Sequence, residues 1–277
     1  MNKLAFLGPI GSFSQEAAIN YDKNLELLSC NSIPQVIEKV KNGLANEAIL
    51  PIENSIEGSV TSTIDLLIQE TKLKIKTEIV IPINHCLLIK DETKLENIQY
   101  VYSHPQALSQ CRKFLTDNIP NAQLIASLST SNAVEEMKKS KYISAAIANQ
   151  KCASIYNVKV ISKKISDNKN NYTRFIILSD RDNKNTGKDK TSICFDFSDD
   201  SPGILYMVLE KFAKQSINLT KIESRPSKTN LGNYIFLIDL EGHRSDEIVI
   251  KCFNQVKPLV SMFKILGSYP KFNISKN

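Results

Sequence analysis

Four short polar clusters in this chain carry residue types used in acid–base and anion-binding chemistry. Glu53-Asn54-Ser55-Ile56-Glu57-Gly58 stands directly after the apolar run 48–52. Ser103-His104-Pro105-Gln106 opens a helical pattern, with Gln110 one turn beyond Gln106 on the same side. Asn171-Tyr172-Thr173-Arg174-Phe175 sets a short hydroxyl beside a guanidinium, a pairing suited to a dianionic substrate because Arg grips a carboxylate through two parallel hydrogen bonds. Gly8-Pro9-Ile10-Gly11-Ser12 is a strand-to-helix turn, and such a turn offers backbone N–H groups to an anion. Each cluster also has a plain structural account: a solvated loop, a cap by Ser103 or His104 with Pro105 at the first helical position, a strand-edge Thr beside an exposed Arg, and a simple turn. The turn is not G-x-G-x-x-G, so the dinucleotide fingerprint is absent.

The elements that must position these clusters alternate through the first 180 residues. Residues 4–7 read as a buried strand. Ser12-Phe13-Ser14-Gln15 reads as a capping box for a helix with Phe13, Ala17, Ala18 and Tyr21 on one face. The pattern then predicts helices over 33–40 and 61–70, a strand over 48–52, a strand over 100–102 feeding a helix over 105–115, a strand over 145–148 feeding a helix over 150–156, and a strand over 173–178. Repeated β-α-β implies a mostly parallel sheet with helices on both faces and ligands at the carboxyl ends of the strands. Residues 180–190 hold no apolar side chain and read as a linker, with domains expected over 1–180 and 191–277. The second region predicts strands at 191–197, 218–225, 234–240 and 262–268 and helices at 203–214 and 246–256. That β-α-β-β-α-β order is the ferredoxin-like plan.

The bulk numbers exclude several classes. The chain has 277 residues, 42% hydrophobic and 23% charged, which is ordinary for a soluble globular protein. Its longest apolar candidate, around 79–89, is broken by Pro82, Asn84 and His85, so no membrane span is expected, and no signal peptide is read at the start. The expected location is the cytoplasm. Six dispersed cysteines without a C-x-x-C pair read as reduced core residues, and three histidines without ligand spacing argue against a metal site. The net charge of +6 is spread rather than clustered, which disfavours nucleic acid and suits a small anionic substrate.

Gly8 to Ala18, Pro51 to Val60, Ser103 to Cys111 and Asn171 to Phe175 together resemble, in order, the four catalytic motifs of prephenate dehydratase. The second region resembles a phenylalanine-sensing ACT domain through Pro202-Gly203-Ile204-Leu205, Asn218 to Pro226 with Glu223-Ser224-Arg225-Pro226, Gly232 to Phe236 and Leu266 to Pro270. The resemblance covers nearly the whole chain. It implies an α/β fold: a two-lobed periplasmic-binding-protein type II-like catalytic domain, followed by a ferredoxin-like ACT domain. It implies conversion of prephenate to phenylpyruvate, water and CO2 without a metal or organic cofactor. Asn54, Ser103, Gln110, Thr173 and Arg174 would carry catalysis, and Glu53, Ser55 and Phe175 would help bind substrate. Thr173 would donate to the leaving hydroxyl, Arg174 would anchor a carboxylate directly or indirectly, and Glu53 or Glu57 would hold the proton source. Phenylalanine would bind between paired subunits through Gly203, Leu205, Asn218, Glu223 and Ser224, in a homodimer or homotetramer.

Two positions depart from the family pattern. Ile204 replaces a usual Ala, which narrows the expected effector pocket, and Ser216 replaces a usual Gly just after a helix. Three other readings compete: arogenate as substrate, a ligand-binding sensor without turnover, and a bifunctional mutase-dehydratase. The last is disfavoured in this reading because the first strand begins at Leu4.

Overall fold

A computed structural model describes residues 2–199, 201–227 and 233–272. Two bodies are distinguished: residues 2–60 with 80–175, and residues 61–79 with the described part of 176–272. Gly232 of the second-region motif lies outside the described residues.

The chain opens with β1 (Lys3–Leu7), α1 (Phe13–Tyr21), β2 (Glu26–Cys30), α2 (Ile33–Lys41), β3 (Glu47–Asn54) and the two-residue β4 (Gly58–Ser59). Then come α3 (Thr61–Asp65), a π-helical turn (Leu66–Glu70), β5 (Lys74–Pro82), β6 (Cys86–Ile89), β7 (Tyr100–Ser103), α4 (Pro105–Gln110) and α5 (Arg112–Asn118). β8 (Gln123–Ala126), α6 (Thr130–Lys139), β9 (Ser144–Ala148), α7 (Lys151–Ile155), β10 (Lys159–Ser162) and β11 (Tyr172–Ser179) follow. The remainder is β12 (Asp189–Asp196), α8 (Ile204–Lys214), β13 (Leu219–Pro226), β14 (Tyr234–Glu241), α9 (Glu247–Val256) and β15 (Met262–Pro270).

The single parallel sheet expected from the β-α-β alternation is in fact two sheets. The first runs β2-β1-β3-β11-β5, with β4 against β3, and the second runs β10-β6-β9-β7-β8. β1 is parallel to β2 and β3, whereas β6 is antiparallel to both β9 and β10. The chain thus leaves the first sheet after β5 and returns with β11, which gives a two-lobed architecture with two crossings. Pro82 ends β5, because a proline supplies no N–H to the ladder. Asn84 and His85 carry the chain into β6.

Several local expectations are met in detail. Ser12 Oγ accepts from Gln15 N at 3.2 Å, while Gln15 Oε1 accepts from Gly11 N at 2.6 Å. Of the two proposed caps for the helix after β7, His104 takes the role, its Nδ1 accepting from Gln106 N at 3.3 Å. The helix predicted over 105–115 divides at Cys111, whose N–H reaches back to Leu108 O at 3.3 Å, so Gln110 ends α4. The second sheet buries Leu87, Val101, Ala145 and Ile147 on one face and Leu88, Ala146 and Ala148 on the other. That burial on both faces explains why β9 reads as an unbroken apolar run.

In the second body β13-β14-β12-β15 form an antiparallel sheet, with α8 and α9 packing over Ile193, Phe195, Ile238 and Leu240. This is the expected ferredoxin-like order. Residues 61–79 belong to the same body and meet it through polar groups. Lys264 Nζ donates to Leu67 O, Ile68 O and Thr71 O at 2.7, 3.0 and 2.8 Å. It thereby satisfies carbonyls that the π-turn leaves unpaired. Arg225 holds Asp65 Oδ1 through Nε and Nη2 at 3.0 and 2.8 Å, and Lys190 holds Glu78 at 2.9 Å. The stretch read as a linker is itself bonded here: Asp182 accepts from Ser268 N at 3.0 Å and from Arg244 Nη2 at 2.7 Å, and Asp189 begins β12.

Two positions yield stability predictions. Ser216 has φ 52°, the left-handed conformation that a Gly adopts freely. Ser216→Gly is expected to raise stability by about 0.5–1 kcal/mol. A Cβ on Gly267 would come within 2.3 Å of Ile75 O and 2.7 Å of Ile75 N, both backbone. Gly267→Ala is expected to lower stability by about 1–3 kcal/mol, the usual cost of overpacking. Denaturant unfolding of both variants checks these signs.

Candidate active site

The loops after β1, β3, β5, β7 and β8 converge on a cavity of about 310 Å³ in the first body. Asn54, Thr173, Phe175, His85, Gln106 and Gln110 line it, together with residues 12–14 at the start of α1 and residues 128–130 at the start of α6. Gln106 and Gln110, four apart on α4, both reach it, as their helical spacing requires. No lysine, arginine, aspartate or glutamate lies among the lining residues.

Strand alternation sorts the candidates. On β11, Thr173 and Phe175 face the cavity and Arg174 lies between them. On β3, Asn54 faces the cavity and Glu53 does not. The two left out pair with one another, Arg174 Nη1 standing 3.4 Å from Glu53 Oε2. The position of Arg174 on the strand directs it to Glu53, an arrangement compatible with the indirect form of the expected carboxylate anchoring. Ser103 also stands away from the cavity lining. It has no solvent exposure, and its Oγ donates to Ile147 O at 2.7 Å, joining β7 to β9. Ser55 is a hairpin clasp rather than a lining residue: its Oγ donates to Asn170 O at 3.1 Å and accepts from Tyr172 N at 2.9 Å.

Thr173, Asn54 and Gln110, which the sequence singled out from three distant segments, meet in one hydrogen-bonded chain. Asn54 Nδ2 donates to Thr173 Oγ1 at 2.9 Å and to Asn171 Oδ1 at 2.8 Å. Asn171 Nδ2 donates to Gln110 Oε1 at 2.9 Å, and Gln110 Nε2 donates to Glu57 Oε1 at 2.9 Å. His85 Nε2 lies 3.1 Å from Gln110 Oε1. Thr173 retains 8% exposure at the cavity wall. Since its oxygen accepts from Asn54, its proton is available to a ligand.

Sequence reasoning passed over His85, which it treated only as an interruption of an apolar run. His85 is 3% exposed and packs edge-on against Phe13 with ring centroids 5.6 Å apart. Burial holds its pKa below the ordinary value, against an opposing hydrogen bond to Gln110, so the neutral imidazole is favoured. Ser129 and Thr130 were also missed. Their signal is a cap, Ser129 Oγ accepting from Asn132 N at 3.0 Å. Among the described residues no cluster of His, Cys, Asp or Glu suits a metal ion. No helix there is long and apolar enough to cross a membrane.

In the second body a cavity of about 540 Å³ is lined by residues 201–206 with Phe197, Asp199, Asn233, Tyr234 and Phe236. Gly203 caps α8 with φ 87°, a backbone that favours glycine. Of the proposed effector contacts, Gly203 and Leu205 line this cavity, as does Ile204. Asn218, Glu223 and Ser224 do not; Glu223 instead pairs with Lys221 at 3.2 Å.

The description "Prephenate dehydratase" matches residues 4–183, and "ACT domain" matches residues 192–258. A prephenate dehydratase of Methanocaldococcus jannaschii is 39% identical over 282 residues, covering 99% of this chain and 100% of that protein. A bifunctional chorismate mutase/prephenate dehydratase of Aquifex aeolicus is 42% identical over 270 residues, covering 97% of this chain and 74% of its own length. The crystal structure of an Arthrobacter aurescens prephenate dehydratase in complex with L-Phe matches with a TM-score of 0.90 at 32% identity, over 97% of this chain and 90% of that one. With both domains matched and the relatives aligned over almost its full length, the chain belongs to the prephenate dehydratase family.

Proposed function

We propose that this chain converts prephenate to phenylpyruvate, water and CO2, with Thr173 donating to the departing hydroxyl. The observation that carries the reading is the Asn54–Thr173 hydrogen bond at the cavity wall, which leaves the Thr173 proton directed to a ligand. In the reaction the ring C–O bond and the bond to the ring carboxylate both break. The electron pair released with CO2 flows into the ring, which becomes aromatic, and the departing hydroxide takes one proton to leave as water. A threonine hydroxyl is too weak an acid to ionise fully at neutral pH, so it serves as a hydrogen-bond donor rather than as the net proton source.

The two acid groups of the substrate would meet neutral donors and the N-terminal ends of α1 and α6, each a centre of partial positive charge. A full cation beside the ring carboxylate would stabilise the charge that must be lost as CO2 departs. The same lining disfavours arogenate, whose ammonium group would find no carboxylate among the lining residues. A sensor without turnover would have no use for a hydroxyl donor set at the leaving group. Glu57 is bonded to Gln110 at the cavity wall whereas Glu53 pairs with Arg174, so Glu57 is our choice for holding the proton source.

The proposal assigns residues 1–180 to catalysis, 181–190 to the connection and 191–277 to regulation, in a cytoplasmic homodimer or homotetramer. Phenylalanine is the proposed inhibitor, bound in the cavity at Gly203 and Leu205. Apolar Tyr206 and Ile248, exposed on α8 and α9, are compatible with pairing of copies of this region.

Thr173→Ala is expected to cut kcat by about 10²–10⁴-fold in a folded chain, and Thr173→Val to do the same without a change of volume. Mass analysis of the product from prephenate checks both; an unchanged rate removes Thr173 from the reaction. Ile204→Ala is expected to tighten phenylalanine binding about 5-fold, equivalent to roughly 1 kcal/mol of relieved crowding. Calorimetric titration with phenylalanine, with inhibition measured alongside, checks that change.

A further inference from the structure

We propose that Asn171 is a positioning residue that locks the Asn54–Thr173 pair to Gln110 from outside the cavity. The inference rests on the reaction proposed above. Asn171 is 1% exposed and does not line the cavity. Its side chain nonetheless bridges Asn54 and Gln110, donating to Gln110 Oε1 and accepting from Asn54 Nδ2. Its backbone oxygen accepts from Ile83 N at 2.8 Å, which anchors the residue to the end of β5.

An amide presents a donor at one end and an acceptor at the other, so a row of amides has a direction. One end of this row is tied to backbone groups that cannot reverse, and the other meets a carboxyl. At one end Asn54 Oδ1 accepts from the backbone N–H groups of Ile56 and Glu57 at 2.9 and 3.1 Å. At the other, Gln110 Nε2 donates to the Glu57 side chain. With those ends set, Asn54 turns its NH₂ to Thr173, Asn171 turns its oxygen to Asn54, and Gln110 turns its oxygen to Asn171. Thr173 is therefore an acceptor toward Asn54, and its proton goes to the substrate. Reversing Asn171 alone would set NH₂ against NH₂ on one side and oxygen against oxygen on the other. The direction also fixes His85. Gln110 Oε1 can only accept, so His85 Nε2 carries the hydrogen, and Nδ1 is the bare nitrogen that has no hydrogen-bond partner.

The test uses the full chain and two near-isosteric variants, Asn171→Asp and Asn171→Leu. The titratable groups bonded to the same network are Glu57 and His85, and the Arg174–Glu53 pair lies on the neighbouring positions of β11 and β3. At about pH 8 both variants are expected to lose on the order of 10²-fold in kcat, with far smaller changes in KM. As the pH falls toward about 5, the aspartate variant alone recovers relative to the parent. Its protonated carboxyl again donates to Gln110 and accepts from Asn54, whereas leucine does neither. Identical pH profiles for the two variants, or parental kcat in either, overturn the proposal.

A measurement on the unmodified chain stands apart from any folding defect. Among three histidines, the ¹⁵N shifts of His85, assigned with His104→Gln and His243→Gln, are expected to show hydrogen on Nε2 and a bare Nδ1. Hydrogen on Nδ1 instead reverses the row and overturns the inference. Failure of the parent chain to consume prephenate would refute the proposed function, and the tautomer would still decide the direction of the row.

Discussion

Two backbone N–H groups held by one amide oxygen set the sense of the hydrogen bond between Asn54 and Thr173. Ile56 and Glu57 donate to Asn54 Oδ1 because the hairpin after β3 turns there, and β4 with the Ser55 clasp keeps it turned. Turning the Asn54 NH₂ toward those two N–H groups would set donor against donor, at a cost of about 0.5–1.5 kcal/mol for each hydrogen bond lost. Asn54 is thereby made a one-way donor toward β11. The hydroxyl there owes its role to a turn in a different strand rather than to any unusual property of threonine.

The cavity built around that hydroxyl is free of full charges among its lining residues, although the proposed substrate is a dianion and the chain carries a net +6. Fixed dipoles and neutral donors suit a reaction in which one negative charge is erased by forming CO2. They hold the molecule without opposing the loss of its charge, and they need no rearrangement as charge moves. Distributed positive charge can still raise the local concentration of an anion over a longer range. Attraction and chemistry are thus separated: lysines act at a distance and amides act in contact.

The sequence made some of this legible and hid the rest for identifiable reasons. Short polar clusters after apolar runs marked Asn54, Gln110 and Thr173, because a strand end is where a polar side chain reaches a shared cavity. Residue type alone did not show where Arg174 and Ser103 point. Arg174 is set apart from the cavity by the period of two along β11, which turns alternate residues to opposite faces, and that alternation can be counted in the sequence. Ser103 satisfies a backbone carbonyl of an adjacent strand, a partner 44 positions away that no local pattern reveals. His85 was hidden within a broken apolar stretch whose break is the passage between two sheets. Asn171 was quoted within its motif but given no task, since its partners come from β3 and α4. The ferredoxin-like order was plain because each of its strands and helices is long and periodic, whereas β2, β8 and β10 are short and half exposed.

The membership of residues 61–79 in the second body has a consequence for dissecting the molecule. Gly267 lies bare against the Ile75 backbone, Lys264 has three carbonyls of this segment as its partners, and Lys190 and Arg225 meet Glu78 and Asp65 there. A fragment beginning near residue 191 would lack the counter-surface of its own sheet and would part Lys264 from its three carbonyls and Arg225 from Asp65. The second body is therefore discontinuous in sequence though continuous in space, and a faithful excision must carry the earlier segment with it.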